Sequence, residues 1–330
     1  MQMDELVSAF PQQLRDAAVI GQQIRLRAPQ QSIRNIIVTG LGGSGIGGTM
    51  LAQLAEPELR VPVVVNKDYQ LPAFAGPDSL IIVSSYSGNT EETLSALDLA
   101  LTSGAHVVCI CSGGKVAEIA REKNLDLVLI PGGMPPRACL GYSFVQLLFT
   151  LQKLGLTGDC FTADINAAAD LLVHEQAAIA AEAEALAIKT AGQLPVLYAE
   201  AHYEGVAIRW RQQINENGKM LCWHHVLPEM NHNELVGWTV NHPSTVVLML
   251  RNRDDHPRTQ HRMEFTKRLV EPICNQVIEI WSKGETALQR MMYLVHLGDW
   301  LSVKLADIRK VDAMEVRVID RLKSELADKA

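Results

Sequence analysis

Twice in the N-terminal third, a short run of apolar residues empties into a cluster of glycines and hydroxyls, and a helical pattern follows. Asn35–Thr39 (NIIVT) enters Gly40-Leu-Gly-Gly-Ser-Gly-Ile-Gly-Gly48, and Leu80–Ser84 (LIIVS) enters Ser85-Tyr-Ser-Gly-Asn-Thr90. Strand, small-residue loop and helix form the repeating unit of a parallel sheet, because parallel neighbours need a long crossover that is usually a helix. This pattern restricts the chain to the α/β class.

The alternation extends along the chain. Val61–Asn66, His106–Ile110 and Asp126–Ile130 read as further strands, with helices over Thr49–Ala55, Glu91–Thr102 and Lys115–Lys123. Residues 163–190 are rich in Ala, Leu and Glu without Gly or Pro, so one long helix is expected to bridge two halves. Alternation then resumes: strands Leu194–Tyr198, Lys219–Trp223, Thr245–Leu250 and Gln276–Trp281, helices Glu204–Glu216, Arg258–Leu269 and Glu285–Leu305, and a last helix at Val318–Leu326. The 330 residues are enough for two cores. The expected division is an N-terminal domain 1–155, a helical linker 156–192 and a C-terminal domain 193–330, with no repeat at residue level.

Charge and cysteine content narrow the function classes. Thirty Lys+Arg against 37 Asp+Glu give a net charge of −7, which argues against a nucleic-acid partner while allowing a locally positive pocket for a small anion. No apolar run reaches the length of a membrane span, and residues 1–30 lack a basic start followed by an apolar stretch, so neither membrane nor secretory signal is expected. Cys109, Cys111, Cys139, Cys160, Cys222 and Cys274 make no CxxC pair. They read as reduced, mostly buried thiols of a cytoplasmic protein, with Cys109 and Cys111 expected on opposite faces of their strand.

The first loop matches the dinucleotide fingerprint through Gly40, Gly42 and Gly45. That fingerprint also wants an acid at the end of the second strand, where Asp68 falls slightly too far along, and no GxxxxGK[ST] is present. The second loop is more informative. Ser85, Ser87 and Thr90 place three hydroxyls just before a helix, a donor set suited to a phosphate monoester. In a sheet of order 2-1-3-4-5, the loops after strands one and three flank the switch point where ligands bind. The alternative is that Asn89 and Glu92 form a simple capping box with serines filling a turn.

Gly42-Gly43-Ser44-Gly45 and Ser85-Tyr-Ser-Gly-Asn-Thr90-Glu-Glu-Thr93 together resemble a sugar isomerase (SIS) domain. Pro135-Pro136-Arg137, Asn215-Glu216-Asn217, Pro228-Glu-Met-Asn-His232-Asn-Glu, Gly298-Asp-Trp, Val311-Asp312 and Ile319-Asp-Arg-Leu-Lys323 continue the series. In this order they are similar to the bifunctional phosphoglucose/phosphomannose isomerases over nearly the whole chain. The resemblance implies two SIS-type domains, each a mainly parallel flavodoxin-like sheet flanked by helices. It also implies aldose–ketose isomerisation of glucose 6-phosphate or mannose 6-phosphate with fructose 6-phosphate, without metal or nucleotide cofactor. Gly43, Ser44, Ser85, Ser87 and Thr90 would bind the phosphate. Glu216 would be the base, Arg137 the enediolate-stabilising cation, and His232 and Lys323 the groups assisting ring opening. The family's site lies at a homodimer interface, with the histidine given by the neighbouring subunit. Where many relatives continue Asp-Pro-Thr-Pro, this chain has Asp312-Ala313-Met314-Glu315. A threonine there is associated with accepting both epimers, so the preference between glucose and mannose 6-phosphate stays open.

The same residues can be weighed without the resemblance. Moving a carbonyl between adjacent carbons requires removing a proton and returning it one carbon over, which one carboxylate such as Glu216 can do; its alternative is an exposed helix-end acid. Arg137 is always charged and can face an oxyanion, or be a surface arginine in a proline loop. His232 suits proton exchange near neutrality, or packs or caps; Lys323 moves a ring-oxygen proton, or is simply solvated. His224, His225, His232 and Glu234 lack a recognised metal spacing. Trp210, Trp223, Trp238, Trp281 and Trp300 read as packing. Two other functions fit less of the pattern: a SIS-fold sensor that binds a sugar phosphate without converting it, and a nicotinamide-dependent oxidoreductase.

Overall fold

The computed structural model describes residues 2–159 and 161–327, so Cys160 lies outside the described residues. Two parallel sheets share one helical layer. The first has β1 (Asn35–Thr39), β2 (Val63–Asn66), β3 (Ser79–Ser84), β4 (His106–Cys111) and β5 (Asp126–Leu129) in the order β2-β1-β3-β4-β5. The second has β6 (Leu194–Glu200), β7 (Trp223–Leu227), β8 (His242–Arg251) and β9 (Cys274–Trp281) in the order β7-β6-β8-β9. All ladders are parallel. The expected α/β fold of two mainly parallel sheets flanked by helices is therefore borne out.

Side-chain alternation assigns each strand residue to a core. Ile36, Val38, Leu80 and Ile82 face the central layer, whereas Ile37, Ile81 and Val83 face α4 (Glu91–Ser103) and α5 (Gly114–Glu122). Cys109 and Cys111 both enter this outer core, correcting the expectation of opposite faces: residues two apart on a strand point the same way. Behind the second sheet, Tyr198, Val247 and Met249 meet Met263 and Val270 of α9 (Pro257–Val270).

The central layer contains α2 (Phe10–Gln23), α3 (Gly42–Ala55), α6 (Leu140–Lys153), α7 (Phe161–Thr190), α8 (Glu204–Glu216) and α10 (Ala287–Arg309). The long α7 is part of this core: Ile165, Leu172, Ile179 and Leu186 are buried, and it packs along α10 and α2. Short α1 (Met3–Ser8) packs Met3, Leu6 and Val7 on Val303, beside Ala313 and Met314. The terminal α11 (Arg317–Ala327) stands apart, with Val318, Ile319, Leu322 and Leu326 exposed.

Two expectations shift. Lys219–Trp223 is not a strand; Lys219 has φ 53°, and the chain turns there before β7 begins at Trp223. Helix α3 starts at Gly42 rather than Thr49, so the glycine cluster is itself the helix's first turns.

Candidate active site

Two helix N-termini converge at the switch point between β1 and β3. Neither is capped by a side chain of its own: α3 has Leu41 at its N-cap, and α4 has Thr90 with no cap bond. The hydroxyls instead hold the two loops against each other. Ser44 Oγ accepts from Tyr86 N–H at 3.2 Å, and Ser85 Oγ donates to Thr90 Oγ1 at 3.2 Å. Ser87 is exposed, its Oγ accepting from Asn89 N–H. The capping box considered for Asn89 does not form, because Asn89 Oδ1 accepts from Lys115 N–H. First-turn amides with partial positive charge thus sit beside clustered hydroxyls, an arrangement suited to a phosphate.

The loop after β5 closes the cradle from the third side. Tyr86 OH accepts from Met134 N–H at 3.2 Å, and a Cβ placed on Gly43 would lie 3.2 Å from the Pro136 carbonyl oxygen. Glycine permits this approach, bringing the Arg137 turn against the glycine loop after β1. Arg137 is buried, and its Nη1 lies 3.6 Å from Glu216 Oε2 at the end of α8. Burial pushes the guanidinium's pKa down, with Arg209 adding to the shift and Glu216 opposing it; an arginine nonetheless stays charged at working pH. Glu216 remains partly open and lines a cavity of about 300 Å³ with Lys219, Glu315, Val316, Val318 and Ile319.

Gly43, Ser44, Ser85, Ser87, Thr90, Arg137 and Glu216 therefore lie along one connected set of contacts. His232 and Lys323 do not join it within the chain. His232 is exposed in the 3-10 turn Glu229–His232, and Lys323 is exposed on α11; among the described residues neither bonds Glu216, Arg137 or the loops. The histidines near His232 are separately engaged. His224 Nδ1 faces Arg211 Nη1 at 3.2 Å, while His225 Nδ1 bonds Glu234 Oε2 at 2.8 Å. Burial and the neighbouring Arg211 hold His224 down to about 4. Among the described residues, no three His, Cys, Asp or Glu side chains converge as a metal site.

Sequence reasoning missed Asn217, Lys219 and Tyr86. Asn217 Oδ1 accepts from Arg137 Nε at 2.7 Å, so the flanking asparagine of Asn-Glu-Asn orients the cation. Lys219 Nζ donates to Glu216 O at 2.5 Å and to Glu315 O at 2.8 Å, tying the end of α8 to the segment before α11. A cation at a helix C-terminus meets both the orphan carbonyls and the dipole. Its ammonium is pushed down by burial and Arg137, against Glu315, Asp312 and Glu216. No spacing signal marked Lys219; Asn217 stands in the Asn215-Glu216-Asn217 triplet, which was read for Glu216 alone.

Comparison with known proteins bears on fold and descent. The SIS domain family matches residues 31–136, and the bacterial phospho-glucose isomerase C-terminal SIS domain matches residues 179–326. A bifunctional phosphoglucose/phosphomannose isomerase of Caldicellulosiruptor bescii is 39% identical, covering 99% of each chain. One from Aquifex aeolicus is 36% identical over 89% of this chain and 90% of its own. Among solved structures, the C-terminal domain of glucosamine-fructose-6-phosphate aminotransferase from Francisella tularensis superposes with a TM-score of 0.79 at 15% identity, covering 95% of this chain and 98% of that one. That likeness speaks to the fold, whereas the full-length identities speak to descent: the chain belongs to the bifunctional phosphoglucose/phosphomannose isomerase family.

Proposed function

We propose that the protein interconverts glucose 6-phosphate, mannose 6-phosphate or both with fructose 6-phosphate through a cis-enediol, using Glu216 as its base. The observation that carries this reading is Arg137, which touches Glu216 on one side while its turn abuts the phosphate loop at Gly43 on the other. With the phosphate held by Gly43, Ser44, Ser85, Ser87 and Thr90, the reacting carbons of an open-chain sugar extend toward Glu216. The Glu216 carboxylate removes the C2 proton of the aldose, the C2–H electrons form the C1–C2 double bond, and O1 becomes an oxyanion facing Arg137. The O2 hydroxyl proton passes to O1 as Glu216 returns its proton to C1, leaving the ketone at C2. Nothing in this sequence calls for a metal or a nucleotide.

His232 and Lys323 are read as the ring-opening groups, His232 being supplied by the partner in a homodimer. The exposure of His232, together with exposed Val236, Val240 and Trp223 in the surrounding segment, supports this reading. The buried free thiols Cys109, Cys111, Cys139 and Cys222 support a reducing, cytoplasmic setting.

The test is turnover of EDTA-treated enzyme on glucose 6-phosphate and mannose 6-phosphate in parallel, for wild type and Glu216→Gln. The variant should bind fructose 6-phosphate yet lose about 10³-fold in kcat. Turnover within a few-fold of wild type would remove Glu216 as the base. Saturable binding by wild type with no aldose formed would favour a sensor.

A further inference from the structure

Behind the site, buried polar groups form a ring that grips Arg137 at both its side chain and its backbone. Arg137 Nε donates to Asn217 Oδ1 at 2.7 Å, and Asn217 Nδ2 donates to Ser302 Oγ at 2.9 Å. Ser302 Oγ donates to the Asp299 carbonyl at 2.6 Å. Asp299 takes Arg209 in a two-pronged ion pair, Nε to Oδ1 at 3.0 Å and Nη2 to Oδ2 at 2.8 Å. Arg209 Nη2 also donates to the Arg137 carbonyl at 2.5 Å, which closes the ring. Arg209, Asp299, Asn217 and Ser302 are all buried. Burial pushes the Asp299 carboxyl up, while Arg209 and Gln213 pull it back. A buried ion pair of this kind is weak evidence for stability, since its desolvation offsets the attraction, so a role in specifying geometry deserves a test.

The donor inventory of Arg137 gives the ring a purpose. An arginine has one N–H on Nε and two on each terminal nitrogen. Nε goes to Asn217, and Nη2 goes to the carbonyls of Ala313 at 2.7 Å and Met314 at 3.1 Å. Only Nη1 is left facing Glu216. We propose that Asn217, Ser302, Asp299 and Arg209 are positioning residues that fix the guanidinium so that Nη1 alone meets the developing oxyanion. The inference rests on Arg137 being the oxyanion-stabilising cation. A guanidinium free to rotate would still be charged, but it would reorganise during each turnover, and misplacement of about 1 Å can cost roughly 10²-fold.

The experiment compares kcat and KM for Ser302→Ala, Asp299→Asn, Arg137→Lys and the double variant Ser302→Ala/Arg137→Lys, each with its thermal midpoint. Ser302→Ala should lower kcat about 10-fold with KM within roughly 2-fold, because the group acts on the transition state while the phosphate loops hold the ground state. In the Arg137→Lys background the same change should add almost nothing, since its effect passes through the guanidinium. Asp299→Asn should lower kcat roughly 100-fold; if it does not fold, the Ser302 series decides alone. Unchanged kcat in Ser302→Ala, or a loss that multiplies fully with that of Arg137→Lys, overturns the positioning role and leaves a purely structural ring. Wild-type turnover in Arg137→Lys overturns the prior reading of Arg137, a distinguishable failure.

Discussion

Gly298 shows how one missing methyl sets the position of the buried polar ring. A Cβ built there would fall 2.3 Å from Trp210 Nε1, so α10 and α8 approach through the absence of a side chain. The indole fills that gap and donates to the Leu294 carbonyl at 2.8 Å. Asp299 follows directly on α10, facing Arg209 of α8, so the same close approach sets the length of the ion pair. Gly298→Ala should therefore do two things. Overpacking costs about 3 kcal/mol, while better helix propensity returns about 1, a net loss near 2 kcal/mol. Displacement of Asp299 should also lower kcat more than it changes KM. Urea unfolding checks the first, as a lower midpoint at unchanged slope, and steady-state kinetics check the second. An alanine variant as stable and as active as wild type would show that the two helices tolerate separation.

At the scale of elements, what could be read from the sequence tracks how each element contacts water. β1 and α8 were legible to the residue: β1 is a bounded apolar run, and α8, buried from Gly205 to Trp210, opens to the polar Arg211, Gln212 and Asn215 before the chain reaches Gly218. Helix α6 was not: twelve successive residues, Leu140 to Leu151, are buried, so no polar face gives it a period. In α2, Gln13 and Gly21 sit on the buried face and blur the pattern. The two glycine and hydroxyl loops were legible because their chemistry is local. The ring behind Arg137 was not, since it joins the turn after β5 to α8 and α10 through contacts with no sequence period. Buried polar groups of this sort also govern acid response. His296 on α10 is fully buried, stacks on Phe10 of α2 at 5.7 Å, and accepts from Trp300 Nε1 at 3.3 Å. Burial holds its pKa down to about 3. The unfolded chain, with an ordinary imidazole near 6.5, binds that proton first. Stability from neutral His296 is thus complete above about pH 6.5 and is lost as pH falls toward about 3, at roughly 1.4 kcal/mol per pH unit. His296→Phe should flatten the fall of the urea midpoint between pH 6 and 4 relative to wild type; parallel curves would mean that the imidazole does not contribute.

Across the whole molecule, the groups assigned to one reaction are divided between a connected site and two exposed outliers. Arg137, Glu216 and the hydroxyl-bearing loops after β1 and β3 are linked within one chain, whereas His232 lies in a solvent-facing turn after β7, an edge strand of the second sheet. If the proposed homodimer carries this imidazole to the site of the other copy, its two-fold axis makes the exchange reciprocal. The arrangement predicts complementation. In a dimer of one Glu216→Gln chain and one His232→Ala chain, one site combines both defects, while the other combines an intact glutamate with an intact histidine. Each parent variant should be nearly inactive. After mixing under conditions that exchange subunits, half the dimers are hybrids with one working site of two, so activity should rise to roughly a quarter of wild type. The rise should follow the rate of subunit exchange and vanish on dilution that separates the subunits. If His232 instead acted on Glu216 of its own chain, a hybrid would hold two defective sites and mixing would restore nothing. Steady-state turnover before and after exchange therefore separates the two arrangements without any new structure.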